Sequence, residues 1–529
     1  MKPRLLFLFT VAFATFITAC GGNGSAPPLP PPVGMYSNAS LNGQYAFSMS
    51  GESAASGGVP ISRVGSFIAD GNGNITAAIE DVRDLSGASV LNPINFGTGT
   101  YTINADGRGT IVLGTGSSSL TLSVTLTSVS QGLLIQIDGG ATSSGSLIKE
   151  TASAFSATSF NGNYVFDVSG TSVSGGLSAP LTVTGRITAD GSSKLTAGVL
   201  DENDGNQSAP SGVINSGVSG SFQMDSQFGA NFGRGLLTLS YTAYGTPITR
   251  TFAFYIVDGT RVKWLEEDGL AVTQGDAVKQ SAAIATTNAG FTGSFVYLVG
   301  GVLNNVPVAR VARFTANGPG SLAQVALDDN LNGHHGSITS SSSVTSAQYT
   351  IDAAGSGRGT FTFNDSHLGT FNAIFYLISP TQAAVQDLSA GLISDGTMLA
   401  QPAGPITNAS LAGNYAFNWS GTILQTKSFA QFEEDFLGQY ALSGPGVVTG
   451  AIDYVELSFF NNPINLDIPL AGALSIVGDG TASNTAQYLI RSSPSATLHF
   501  AAYVVDANTT FLVCTDGNRV SPGSAIMQH

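Results

Sequence analysis

The chain is poor in charge, cysteine and histidine, and each shortage removes a class of function. Asp, Glu, Lys and Arg make up 10% of the 529 residues, against about 25% in an average soluble domain. Basic residues number 19 against 34 acidic ones, a formal charge of −15, and no Lys/Arg cluster follows Arg4. Such a surface repels phosphate backbones, so no nucleic acid partner is expected. The two cysteines, Cys20 and Cys514, are too few for a disulfide framework. Cys514 sits in the apolar run Phe511-Leu512-Val513-Cys514 and reads as a small buried hydrophobe.

Histidine is absent until His334, and the others are His335, His367, His499 and His529. No H-E-x-x-H or Cys/His spacing occurs, and the pair His334-His335 reads as part of a polar loop, so no zinc site is expected. There is no G-x-S-x-G elbow, P-loop or G-x-G-x-x-G between a strand and a helix, and no cofactor is expected. A histidine-based triad would also be impossible as a property of the chain's repeat, because two of its copies hold no histidine. Beyond the first twenty residues nothing shows a convincing 3.6-residue period.

Glycine, at 66 residues, serine and threonine are abundant instead, and one phrase recurs. Leu41-Asn42-Gly43-Gln44-Tyr45-Ala46-Phe47 returns as Phe160-Asn161-Gly162-Asn163-Tyr164-Val165-Phe166, as Phe291-Thr292-Gly293-Ser294-Phe295-Val296-Tyr297 and as Leu411-Ala412-Gly413-Asn414-Tyr415-Ala416-Phe417. The copies start 119, 131 and 120 residues apart, and 118 residues follow the last start. Four homologous units result, 37–152, 153–283, 284–403 and 404–529, each long enough for its own core. The glycine is the residue type that all four phrases keep. The aromatics two and four positions later share one strand face and would seal each core.

Within unit one, short runs with period-2 character alternate with Gly, Asn and Asp turns. Tyr45–Ser50, Arg63–Ala69, Asn74–Asp81, Gly99–Asn104, Arg108–Leu113, Leu120–Ser128, Gly132–Asp138 and Gly145–Glu150 make eight strands. Asp70-Gly71-Asn72-Gly73 is the first hairpin turn and Ala105-Asp106-Gly107 a second. The other units repeat these landmarks, including Gly107-Arg108-Gly109, Gly233-Arg234-Gly235 and Gly357-Arg358-Gly359. Unit four has Gly478-Asp479-Gly480 there and no arginine. It also carries an irregular acidic patch, Glu433-Glu434-Asp435. The expectation is an all-β protein of four tandem antiparallel units, each an eight-stranded up-and-down barrel, since closure removes exposed edges. A two-sheet sandwich is the alternative.

The first twenty residues differ from the rest. Met1-Lys2-Pro3-Arg4 is a positive n-region, and Leu5 to Phe16 is apolar but too short to span a bilayer permanently. Ile17-Thr18-Ala19-Cys20 then resembles the lipobox of bacterial lipoproteins, with Thr18 a mild departure. The resemblance implies a signal peptide of residues 1–19, cleavage before Cys20, and diacylglyceryl and acyl (palmitate-type) modification of Cys20. Several acyl chains hold a protein firmly in a membrane. Gly21, where an aspartate would suggest inner-membrane retention, implies an outer-membrane or cell-surface address. Residues 20–36 form a Gly/Pro-rich tether. The repeat units resemble uncharacterised tandem β-repeat lipoproteins of bacteria. Gly43-x-Tyr45 and its counterparts stand where lipocalin and avidin-like barrels carry Gly-x-Trp, so the resemblance to that class lacks its tryptophan.

Several constellations are candidates for chemistry. Asp70-Gly71-Asn72-Gly73-Asn74 alternates oxygen ligands as a calcium loop does, but Ile75 replaces the required glycine and no bidentate Glu follows. The acidic pairs Asp81/Asp84, Asp201/Asp204 and Asp328/Asp329 recur after the third strand and read first as solvated loop starts, second as weak cation sites. Nine residues before Gly145, Gly275, Gly396 and Gly523 stand Gln136, Glu266, Asp387 and Cys514, preceded on the same face by Leu134, Trp264, Val385 and Leu512. If that face points into a barrel, Gln136, Glu266, Asp387 and Trp264 are candidate ligand-facing residues. The plainer reading is a strand leaving the core towards its turn. The function expected is a non-catalytic structural, adhesive or binding role at a cell surface, with extracellular polysaccharide, protein or a small apolar ligand as partner. Carriage of apolar ligands inside barrels and an extracellular polymer-active enzyme are the alternatives, the latter because paired carboxylates leave no local spacing.

Overall fold

The computed structural model describes residues 35–529 apart from 55–57, 86–91, 175–176, 216, 339–342, 390, 405, 426–429, 445, 458–462, 478–484 and 493–495. The leader, Cys20, most of the tether and Gly478-Asp479-Gly480 lie outside the described residues. What is described is all-β, with a four-residue helix at Gly229–Phe232 and a few 3-10 turns.

In the first unit eight antiparallel strands run Asn42–Ser53, Val59–Asp70, Asn74–Asp84, Gly99–Ile103, Arg108–Leu113, Leu120–Ser128, Gln131–Gln136 and Ala141–Lys149. Each pairs with the next, and the first pairs with the last from Tyr45↔Lys149 to Ser53↔Ala141, which closes the barrel. The second unit closes in the same way through Tyr164↔Lys279 to Ser172↔Ala271. The fourth does so through Gly413–Gln425 against Ala430–Leu442 on one side and Pro522–Met527 on the other. In the third unit a continuous sheet is completed by one isolated bridge, Ser321↔Gln348. The eight expected strands of unit one are all present, and the first hairpin is longer than its sequence pattern, reaching Ser53 and Val59.

The recurring phrase has a conformational reason and a packing reason. Gly43, Gly162 and Gly293 have φ of +112°, +103° and +112°, a region that costs L-residues dearly. Gly413 does not share that conformation. Two residues on, the tyrosine ring enters the core and its hydroxyl reaches the turn after the sixth strand. Tyr45 donates to Val129 O, Tyr164 to Gly259 O and Tyr415 to Ala507 O, while Phe295 keeps the ring without the bond. Burial pushes the Tyr45 and Tyr164 hydroxyls up to about 12. At the opposite side of the first strand, Gly145, Gly275 and Gly396 lie so close to it that a Cβ would sit 1.8–1.9 Å from a backbone oxygen.

The barrels are filled. Phe160, Tyr164, Phe166, Phe252 and Trp264 occupy the second, and Phe291, Tyr297, Phe314, Phe361 and Phe375 the third. Trp264 stacks on Phe166 at 5.2 Å, and Trp419 meets Phe417 and Phe500 at 4.7 and 4.6 Å. Such ring pairs add to the burial of large apolar area. The sixth strand of unit two is apolar on both faces over the run Phe252 to Val257, all fully buried, whereas that of unit one has Ser123 and Thr125 on its outer face. One face of each lines its own barrel, and the other packs against a neighbouring barrel.

Candidate functional site

The surfaces where barrels meet carry the buried polar groups that the repeat keeps. At the first joint, Asp81 on the third strand of barrel 1 accepts from Arg234 Nε and Nη2, both at 2.8 Å, and from Tyr255 Oη at 2.6 Å. Arg234 also pairs with Asp225 of its own barrel. Side chains of Arg234 and Asp81 are 0% exposed, a setting in which a partnered charge is tolerated and a lone one is not. At the second joint Asp201 accepts from Arg358 Nε and Nη2 at 2.8 and 2.9 Å and from Tyr376 Oη at 2.6 Å. The arginine is that of the repeated Gly-Arg-Gly, and the tyrosine lies across from it on the sixth strand.

The third joint keeps the tyrosine alone. Tyr503 Oη donates to Asp328 at 2.7 Å, and His335 Nε2 supplies a second contact from within barrel 3, also at 2.7 Å. That bond raises the histidine pKa. Opposite Tyr503 the register places Thr485 where the other units have arginine.

A fourth joint returns to the start. Arg108 Nη2 of barrel 1 donates to Asp453 of barrel 4 at 2.6 Å, and Ser123 Oγ donates to the same carboxylate at 2.5 Å. Here the tyrosine position is Thr125, whose buried hydroxyl has no hydrogen-bond partner among the described residues. The ends of the units reinforce the pattern. Thr151 N donates to Val257 O, Ser281 N to Ile378 O and His529 N to Thr127 O, while Gln401 Nε2 reaches Val504 O. Apolar patches complete each joint, for example Val64, Ile79, Tyr255 and Leu265 at the first and Ile135, Leu437 and Val455 at the fourth. The same head-to-tail contact used four times closes on itself. The four barrels form a ring.

Each barrel also holds a buried arginine–carboxylate pair near the end where its first and second strands join. Arg63 meets Glu80 at 2.5 Å, and Arg250 meets Glu266 at 2.7 Å and Glu202 at 3.2 Å. Arg310 pairs with Asp387 and stacks over Phe371 at 4.5 Å. In barrel 4, Arg519 Nε lies 3.2 Å from Glu434.

Three of the four sequence candidates lie in these ends, Gln136 in barrel 1, Glu266 in barrel 2 and Asp387 in barrel 3, while Trp264 lies in the core of barrel 2. Their strands face the predicted glycines, with Leu134↔Gly145, Trp264↔Gly275 and Val385↔Gly396 in register. Gln136 binds Asp138 and accepts from Ser143. Glu266 accepts from Arg250 and Thr273 Oγ1. Asp387 meets Arg310, and Trp264 is an aromatic core residue. Cys514 is fully buried, and burial pushes its thiol up.

Two sequence readings are overturned. Asp81, Asp201 and Asp328 are not solvated loop starts: they are buried on strands, because the neighbouring barrel supplies their donors. His334-His335 opens the strand His334–Ile338. Asp70 is the turn residue it resembles, accepting from the Asn72 and Asn74 amides and from Asn74 Nδ2, which lowers its pKa to about 2. Sequence reasoning noted Gly-Arg-Gly and the recurrent aspartates but did not join them. Their equal recurrence, lost in unit four for the arginine, was the signal.

Among barrels 2, 3 and 4 lies a cavity of about 460 Å³, lined by Asp167, Leu298, Ala384, Asp395 and Asn418 among others.

No protein-family model and no curated protein matches the chain. Solved structures share weak likeness. A tryptophan-to-alanine mutant of transferrin binding protein B from Haemophilus parasuis Hp5 is 8% identical, with a TM-score of 0.20 over 76% of this chain and 84% of that one. Isotype 1 transferrin binding protein B from serogroup B Neisseria meningitidis is 10% identical, with a TM-score of 0.18 over 76% and 82%. The intact N and C lobes of Ap-TbpB give 11% identity and a TM-score of 0.18 over 96% and 98%.

Proposed function

We propose that the protein is a bacterial lipoprotein held at the outer membrane or cell surface through Cys20, with its ring of barrels as a rigid structural or binding platform and no catalytic role. The observation that carries the anchor is Ile17-Thr18-Ala19-Cys20 directly after a short apolar segment, followed by a Gly/Pro-rich tether. The platform reading is supported by where the polar groups go. Barrel interiors are occupied by aromatics and by arginine–carboxylate pairs with internal partners, so recognition of polysaccharide, protein or small molecules falls to outer surfaces and to spaces between barrels. Among the described residues nothing in the interiors favours the carriage of apolar ligands there.

Metabolic labelling with a radioactive fatty acid, followed by fractionation, tests the anchor. The native chain is expected to carry label and to sediment with membranes, and Cys20→Ala to carry none and to be released by washing. An unlabelled native chain, or a labelled Cys20→Ala variant, overturns the reading.

A further inference from the structure

The joint between barrels 1 and 2 contains a buried ammonium. Lys263 Nζ, on the seventh strand of barrel 2, donates to Ser48 Oγ of barrel 1 at 2.8 Å and to Asp276 Oδ1 at 3.1 Å, and its side chain is 1% exposed. Its backbone neighbours in register are Tyr255 and Asp276.

The next joint is built from the same places with different residues. Opposite Tyr376 stands Ala384, and opposite Ala384 stands Thr397, so the lysine and its aspartate have become a methyl group and a hydroxyl. Across the joint the counterpart of Ser48 is Asp167, since Ser48 pairs with Ser146 and Asp167 with Asp276 on the last strands. Asp395 of barrel 3 adds a second carboxylate. Asp167 accepts from Thr184 Oγ1 at 2.6 Å, and neither acid makes an ion pair among the described residues. Arg261, the cation in the cavity wall, is engaged by Asp276 at 2.9 Å. Where one joint has an ammonium, the other has two carboxylates and an open volume of about 460 Å³. Both acids remain partly accessible.

We propose that this cavity binds a short-chain primary alkylamine, with Asp167 and Asp395 as counter-ions for its ammonium and Val165, Leu298 and Ile378 around its methylene stem. The chemistry is that of Lys263 supplied from outside: a compact cation on an apolar stem, paired in a partly dry site. It is independent of the lipid anchor. Burial, and for Asp167 also the charge of Asp395, raise both carboxyls, Asp395 to about 6. Amine binding therefore releases protons and tightens as pH rises towards 8, Asp276 and Arg261 remaining paired beside it.

Calorimetric titration of the full chain with 1,5-diaminopentane and with pentylamine tests this. At about pH 8 one saturable site is expected, weaker at about pH 5, with no binding of pentan-1-ol or pentanoate. Asp167→Asn with Asp395→Asn is expected to weaken amine binding at least about thirtyfold, the lower end for removing a buried charged partner. Ala384→Lys places a tethered ammonium in the cavity and is expected to abolish amine binding while raising the melting temperature. The proposal is overturned by any of three results: no saturable heat at pH 8, equal binding of the alcohol, or undiminished amine binding by either folded variant.

Discussion

Asp81→Ala probes the ring at its best-built joint. The carboxylate is 0% exposed and accepts three hydrogen bonds from barrel 2, two from Arg234 and one from Tyr255. Its removal takes both of those bonds from Arg234, which keeps its pair with Asp225, and leaves the Tyr255 hydroxyl buried without that acceptor. Breaking a buried pair by deleting one partner costs about 3–5 kcal/mol, and a stranded hydroxyl alone costs about 1–3 kcal/mol. We expect Asp81→Ala to cost about 3–5 kcal/mol in the coupling of barrels 1 and 2. Because four barrels need not unfold as one, the assay should follow barrel 2 separately. The chain's two tryptophans, Trp264 and Trp419, sit in barrels 2 and 4, and single Trp→Phe backgrounds isolate each signal in a urea titration. Asp81→Ala should shift the Trp264 transition and leave less effect at Trp419. The cycle with Tyr255→Phe should be non-additive, since both changes break one bond. A shift under about 1 kcal/mol, the range of exposed pairs, or strict additivity would refute the reasoning.

Gly145→Ala should disrupt closure of barrel 1, because its Cβ would lie 1.8 Å from Ser48 O; circular dichroism melting should show a loss of several kcal/mol, far beyond the about 1 kcal/mol change of an ordinary glycine site. Tyr45→Phe keeps the ring and loses the bond to Val129 O, so the expected cost is about 1 kcal/mol, with Phe295 as the natural precedent. Burial holds the Asp435 carboxyl up at about 7, well above its unfolded value, so its contribution is fully present below about pH 4 and is lost as pH rises through 7. Asp435→Asn should therefore melt higher than the native chain at pH 8, and the difference should shrink at pH 5; a difference that is constant with pH would contradict the assignment.

Much of the architecture was legible because it follows from local chemistry. Period-2 runs between Gly, Asn and Asp turns mark strands wherever one face is wet, and Asp70-Gly71-Asn72-Gly73 forms a turn through bonds made within five residues. The recurring offset between Trp264 and Gly275 was visible in the sequence, but that the two stand opposite each other on paired strands was not. The joints were not legible, because Asp81 and Arg234 are 153 residues apart and each alone looks like a residue beside a turn. Burial of Asp201 needs a second barrel, and no local pattern signals one. The sixth strands held the hint. A run such as Phe252-Ala253-Phe254-Tyr255-Ile256-Val257 fails to alternate because both of its faces are buried. The chemical content of the barrel ends was equally hidden: Glu266 becomes an internal ion pair only because Arg250 meets it from the adjacent strand.

Ring closure is the central claim, and a charge swap across the fourth joint tests it most directly. Arg108 and Asp453 are 345 residues apart in sequence and 2.6 Å apart in space. Arg108→Asp and Asp453→Arg should each lower the Trp419 transition and speed hydrogen exchange along 120–128, and the double variant should recover most of both. If the single variants leave both signals unchanged, or if the double variant shows the sum of their losses, barrels 1 and 4 do not meet and the ring is open.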